Sequence, residues 1–170
     1  MMKRAAVGRL ASTILLLPAA ILSPSAPALA AGCADPASCS CTVSSSGLVF
    51  GTYSQQTSTP SDSVGTISVR CDSSDPGNSS FTIALSPGGS SNAAQRSMGG
   101  GAERLLYNLY TNVTRSTIWG DDSGGGVSVT VPFSAANGAT QAISVYGRIP
   151  ARQNIPPGYY GDVITVTVTY

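Results

Sequence analysis

The sequence has 170 residues, with nine basic and eight acidic side chains and no histidine. So sparse and balanced a charge gives no footing for nucleic acid, whose phosphates call for a basic face. The missing histidine removes the commonest general base and the commonest metal ligand.

In chain order, Lys3, Arg4 and Arg9 form a positive start, and "LASTILLLPAAIL" (10–22) an apolar run. "APALA" (26–30) then supplies the small-x-small pattern Ala28-x-Ala30 that a signal peptidase cleaves. Residues 1–30 are therefore expected to be a removable export signal. The apolar run, broken by Pro18, is too short for a stable membrane span, and none is expected in the mature form. Removal leaves about 140 residues, the size of one domain, with six basic against eight acidic side chains and no lysine. "AAGC" (30–33) resembles a lipid-attachment motif at Cys33, but it lacks the customary leucine and would leave an odd number of cysteines.

All four cysteines, Cys33, Cys39, Cys41 and Cys71, follow the signal. An even count in an exported chain reads as disulfides, and without a CxxC pair a metal site is disfavoured. Three pairings are possible. Cys39 and Cys41 stand two residues apart, near the limit of bridging on an extended chain, and the favoured pairing is Cys41–Cys71 with Cys33–Cys39. Closing the loop of roughly 30 residues between Cys41 and Cys71 contributes about 3–4 kcal/mol in the chain-entropy account. Residues 31–40, "AGCADPASCS", form a short cysteine-containing arm with almost no large apolar residue, and residues 41–170 form the folded domain.

Within that domain no apolar period of 3.6 is sustained, whereas short β-type runs recur between Gly, Pro, Asn and Ser. Strands are predicted in "CTVSSSGLVFGTY" (41–53, broken at SSSG), "SVGTISVRC" (63–71), "SSFTIALSPG" (79–88) and "LLYNLYTN" (105–112). "VSVTVPF" (127–133) carries a short one, and "TQAISVYGRI" (140–149) and "YYGDVITVTVTY" (159–170) complete the set. Residues 86–104 and 120–126 read as loops. The fold class is all-β, an incomplete immunoglobulin-like sandwich of about six main strands that lacks strand G. In the last strand Ile164, Val166, Val168 and Tyr170 fall on one face and Thr165, Thr167 and Thr169 on the other. An unpaired edge there would border an apolar groove, and a strand from another polypeptide is the physical way to fill it.

Reaction chemistry is thin. Asp121 and Asp122 in "WGDDSGGG" are expected to cap a Gly-rich turn rather than to hold Ca²⁺ or act as paired carboxylates. The serines have no histidine or lysine to activate them. Tyr107, Tyr110, Trp119 and Tyr146 are expected to pack the core or its rim rather than to form a sugar platform, and Arg148 to make a structural ion pair. No enzymatic activity, cofactor or metal is expected.

Taken together, "CTVSSSGLVFGTY", "GTISVRC", "FTIALSPG", "LLYNLYT", "TIWGD" and "VYGRIPARQNIPPGYYGDVITVTVTY" resemble the spore coat protein U domain family over residues 41–170. That family includes subunits of archaic chaperone–usher pili. The resemblance implies a subunit whose groove first takes a strand from a periplasmic chaperone. An outer-membrane usher then exchanges that strand for the N-terminal extension of another pilus or coat subunit. It also places a family disulfide at Cys41 and Cys71, and the groove-side strand at Ile164, Val166, Val168 and Tyr170. The chain departs from the family in its arm. Residues 31–40 contain Pro36, Asp35 and two cysteines, so they make a poor donor strand. The expectation is a non-enzymatic structural subunit, terminal in a pilus or part of a coat, exported through the periplasm to the cell surface or secreted. The alternative is a self-contained secreted module that closes its own groove and binds carbohydrate or another surface.

Overall fold

The computed structural model describes residues 39–73, 78–134 and 138–170. The expected export signal and residues 31–38 of the arm lie outside them. Among the described residues the period-two alternation becomes β-structure, with one 3-10 turn at Ala93–Gln95. The strands are β1 (Cys39–Ser45), β2 (Ser61–Ser73), β3 (Asn78–Leu85), β4 (Ser97–Gly100), β5 (Glu103–Leu106), β6 (Asn108–Tyr110), β7 (Val129–Ser134), β8 (Thr140–Ile149) and β9 (Val166–Thr169). No helix among them is long and apolar enough to cross a membrane.

Four strands form one sheet in the order β1-β2-β8-β6, three form a second in the order β7-β3-β9, and β4 pairs with β5. Every ladder is antiparallel. The four-stranded sheet has the A-B-E-D order of an immunoglobulin-like sandwich, and β3 and β9 take the places of strands C and F. The place of strand G is the outer edge of β9, which is unpaired among the described residues.

The core follows from alternation. Ile67, Val69 and Cys71 of β2, Phe81, Ile83 and Leu85 of β3, and Val145 and Ile149 of β8 are all buried, each set at the two-residue spacing that puts side chains on one face. Trp119 is fully buried, and its indole Nε1 donates to the carbonyl of Ile83 at 3.0 Å. Arg96 is also fully buried. Its guanidinium donates to the carbonyls of Leu85, Ser86 and Ala93 and to Oδ1 of Asn108, whose own amide donates to the carbonyl of Ala94. Burial lowers its pKa, opposed by nearby Tyr107 and Asp162, but a guanidinium stays charged at any ordinary pH. One side chain thus fastens the end of β3, the 3-10 turn and β6 together.

Cys41 and Cys71 are direct cross-strand partners and form a disulfide, with Cα atoms 4.1 Å apart. Cys39 is disulfide-bonded as well; Cys33, its expected partner, lies outside the described residues.

Several elements differ from the sequence-based expectation. β1 begins at Cys39, inside the expected arm, and stops at Ser45. Gly47 and Gly51 adopt left-handed φ values of 69° and 72°, which break the ladder, so residues 46–53 continue as an extended wall instead of a strand. The stretch 105–112 divides into β5 and β6 at Tyr107. The loop expected at 86–104 contains β4, where Gly100 is needed because a Cβ there would stand 2.6 Å from the Tyr160 ring. Only Val166–Thr169 of the last expected strand joins a ladder. Upstream, Gly161 exchanges two backbone hydrogen bonds with Gly99 of β4.

On the outer face, Arg148 donates to both carboxylate oxygens of Asp62 at 2.7 and 2.8 Å, and Arg115 adds a contact at 3.3 Å. The Arg148 hydrogen bond is the largest cause holding the Asp62 pKa below the ordinary carboxylate value. A lowered pKa gives stability that is present above the unfolded-state pKa and is lost as pH falls through the folded-state value. Because the pair is partly exposed, Asp62→Asn is expected to cost under about 1 kcal/mol at neutral pH. Urea melts of both proteins should converge as the pH falls through the lowered folded-state pKa of Asp62 and the wild-type carboxylate is protonated.

Candidate functional site: an open groove beside the last strand

Two walls enclose a cleft of about 1130 Å³. One wall is the extended segment after β1, and the other runs from Ile155 to Val166. Ile67, Leu85, Tyr107, Leu109, Val145 and Ile149 face into it from the core.

Glycines make room for the first wall. A Cβ on Gly147 would lie 2.8 Å from both the Leu48 and Phe50 side chains, and one on Gly65 would lie 2.5 Å from the carbonyl oxygen of Gly47. Leu48 and Phe50 therefore pack inward while Val49 between them is 81% exposed. The Phe50 ring meets Tyr107 edge-on at 6.1 Å, a favoured aromatic geometry. This wall is held to β2 by the Ser63 hydroxyl, which donates to the carbonyl of Val49 at 2.6 Å, and by the Ser46 amide, which donates to the carbonyl of Thr66. No ladder holds it.

The opposite wall is set by Asp162. Its Oδ2 accepts from the Tyr107 hydroxyl at 2.8 Å, and its Oδ1 accepts from the amides of Gly89 and Val163. Burial, then the Asp162 hydrogen bond, push the Tyr107 pKa far above that of a free phenol, so Tyr107 remains a donor. At one end of the cleft the Gln55 amide donates across to the carbonyl of Ile155. Beside it the Tyr53 hydroxyl accepts from the Gln153 amide and donates to the carbonyl of Pro150.

Of the four groove residues expected from the sequence, Ile164 and Val166 line the cleft. Val168 continues the same face beyond it, half-buried and opposite Ile83. Tyr170 lies past the end of β9 and is 42% exposed. Val43, which the sequence did not single out, extends the groove on the facing sheet. Its register opposite Val69 points it inward, yet it is 44% exposed. An inward-facing valine left that open marks a place where the second sheet lacks cover. Leu48 and Phe50 were legible only as part of a broken strand; the flanking Gly47 and Gly51 were the available clue.

The remaining candidates are structural. Asp121 accepts from the amide and hydroxyl of Ser123, and Asp122 from those of Ser128. These bonds lower both carboxylate pKa values, with the serine hydroxyls the largest cause. Tyr107 and Trp119 are buried, and the Arg115 guanidinium covers the Tyr146 ring at 5.8 Å. Arg148 makes the ion pair with Asp62. The cleft thus offers apolar surface and free backbone edges rather than reactive groups.

The profile of the Spore Coat Protein U domain matches residues 29–167. The chain belongs to the Spore Coat Protein U domain family. Protein U of Myxococcus xanthus is 41% identical over 66 residues, which cover 39% of this chain and 34% of that protein. A solved structure is similar in fold. It is the CsuC–CsuE chaperone–tip adhesion subunit pre-assembly complex from archaic chaperone–usher Csu pili of Acinetobacter baumannii. The match has a TM-score of 0.52 at 22% identity over 78% of this chain and 40% of that one. The present chain therefore spans well under half the length of either relative. The all-β, immunoglobulin-like sandwich expected from the sequence agrees with this match.

Proposed function

We propose that this protein is a non-enzymatic structural subunit of a secreted surface assembly, a chaperone–usher pilus or a coat, whose sandwich is completed by a strand from another polypeptide. The observation that carries this reading is the outer edge of β9, unpaired among the described residues and bordering the apolar cleft that Ile164 and Val166 line. A strand laid along that edge would gain ladder hydrogen bonds and cover Val43, Val166 and Val168 together. A periplasmic chaperone is the first donor, an outer-membrane usher the site of exchange, and a neighbouring subunit the final donor. The chain itself is a poor donor. Pro36 interrupts residues 31–40, and Cys39 and Ser40 of that arm are already committed to the β1–β2 ladder. This favours a terminal or coat subunit over a repeating shaft subunit.

The test is periplasmic expression with and without the cognate chaperone. Degradation or aggregation alone, rescued by the chaperone, is the expected result; a stable soluble monomer without it overturns the reading. Val166→Thr and Val168→Thr should each remove roughly 1–2 kcal/mol of apolar burial and reduce chaperone co-purification. Unchanged co-purification would show that the groove lies elsewhere. Mixing chaperone-bound copies should give no polymer ladder on a denaturing gel.

A further inference from the structure

The free edge of β9 reads Val166-Thr167-Val168-Thr169. A pairing strand that slipped by one residue would turn its apolar side chains outward, but a slip of two restores the pattern. The edge alone therefore leaves the register degenerate in steps of two, and something outside the ladder must fix it.

The closed end of the cleft has the construction to do so. The Gln55 amide bridges the two walls to the carbonyl of Ile155. Behind it, the side-chain amide of Gln153 pairs with both the N–H and the carbonyl of Leu106 at 2.8 Å each, as a strand residue would. The Tyr53 hydroxyl, from the Gln55 side, holds the Gln153 segment by accepting from the backbone N–H of Gln153 at 2.7 Å and donating to the Pro150 carbonyl at 3.0 Å. This wall is tied to β5 and to the end of β8, so an arriving strand meets it rather than displaces it. Resting on the strand-acceptor reading above, we propose that Tyr53, Gln55 and Gln153 form an end stop that sets the register and the greatest useful length of the incoming strand.

β2 serves as a ruler for that length. Val43 lies opposite Val69, and the carbonyl of Phe50 accepts from the Ser61 hydroxyl, eight residues back along β2. At about 3.3 Å per residue the groove is about 26 Å long, room for roughly nine residues with apolar side chains at every second position.

Thermal unfolding of the purified protein, followed by the fluorescence of Trp119, its one tryptophan, tests this. The probes are alternating Val–Thr peptides of about five to thirteen residues, each made with a solubilising lysine pair at one end or the other. The gain in Tm should rise with peptide length to about nine residues and then level off. In the Gln55→Ala, Gln153→Ala double variant the plateau should move to peptides at least two residues longer. Tyr53→Phe removes only the hydroxyl and should produce a smaller shift of the same sign, giving a readout if the double variant does not fold. Failure of every peptide to stabilise the wild type overturns the strand-acceptor reading and the stop with it. Stabilisation that keeps rising past nine residues in the wild type, or a plateau unmoved in the variants, overturns the end stop alone.

Discussion

Arg96→Met is expected to lower the unfolding free energy by on the order of 4 kcal/mol, a large part of the roughly 5–15 kcal/mol that holds a domain folded. The carbonyls of Leu85, Ser86 and Ala93 lose a donor, and Oδ1 of Asn108 keeps only the amide of Leu109. A buried acceptor without a partner costs about 1–3 kcal/mol. Buried ions can often be exchanged for apolar residues when their partners are exchanged as well, but three of these partners are backbone and cannot be. Arg96→Lys should recover part of the loss, since an ammonium has three donors but not the planar fork. Urea melts read through Trp119 fluorescence measure the effect. A loss below about 1 kcal/mol for Arg96→Met would mean that water reaches these carbonyls, and the network would then hold nothing together.

The second large effect is expected from the paired replacement Cys41→Ser, Cys71→Ser. The bridge joins positions 30 residues apart, and its removal should cost about 3–4 kcal/mol in the chain-entropy account. The loss should also be uneven. β1 is an edge strand whose side chains from Thr42 to Ser45 are exposed, so little apolar burial holds it to β2. Amide exchange in β1 should rise towards that of an unprotected chain while the β2–β8 ladder stays protected. Equal loss of protection in all three strands would show instead that β1 and the core unfold as one unit.

Much of the sandwich was legible because alternation and burial agree along β2, β3 and β8, where inward residues are apolar and turn residues punctuate the ends. The pairing of Cys41 with Cys71 was legible on other grounds: Cys39 and Cys41 stand too close along an extended chain to bridge readily, and Cys41 and Cys71 fall at the ends of neighbouring predicted strands. The wall at Leu48 and Phe50 was harder to read, because its position depends on glycines in distant strands, Gly65 and Gly147, which give way to it. β4 was hidden in a stretch whose glycines imitate a loop, though Gly100 is there to admit Tyr160. Arg96 could not be found at all. Its burial depends on carbonyls at the end of β3 and in the 3-10 turn, and no local pattern announces such a meeting. Period alone put Ile164 and Val166 on the face that lines the cleft, whereas Val43 needed the register of β1 to show which way it points.

The two borders of the three-stranded sheet are chemically unlike. β9 presents an uninterrupted Val-Thr repeat, but β7 carries Pro132, exposed and opposite Ser80 in the ladder with β3. Proline has no N–H, and within a sheet it is tolerated where that missing donor faces outward. Among the described residues the sheet is therefore open at one border and blunted at the other. Copies meeting edge to edge through this sheet cannot grow sideways from both borders into a broad ribbon. The same proline that interrupts β7 would keep a crowded population of open subunits from gelling into amyloid-like plates.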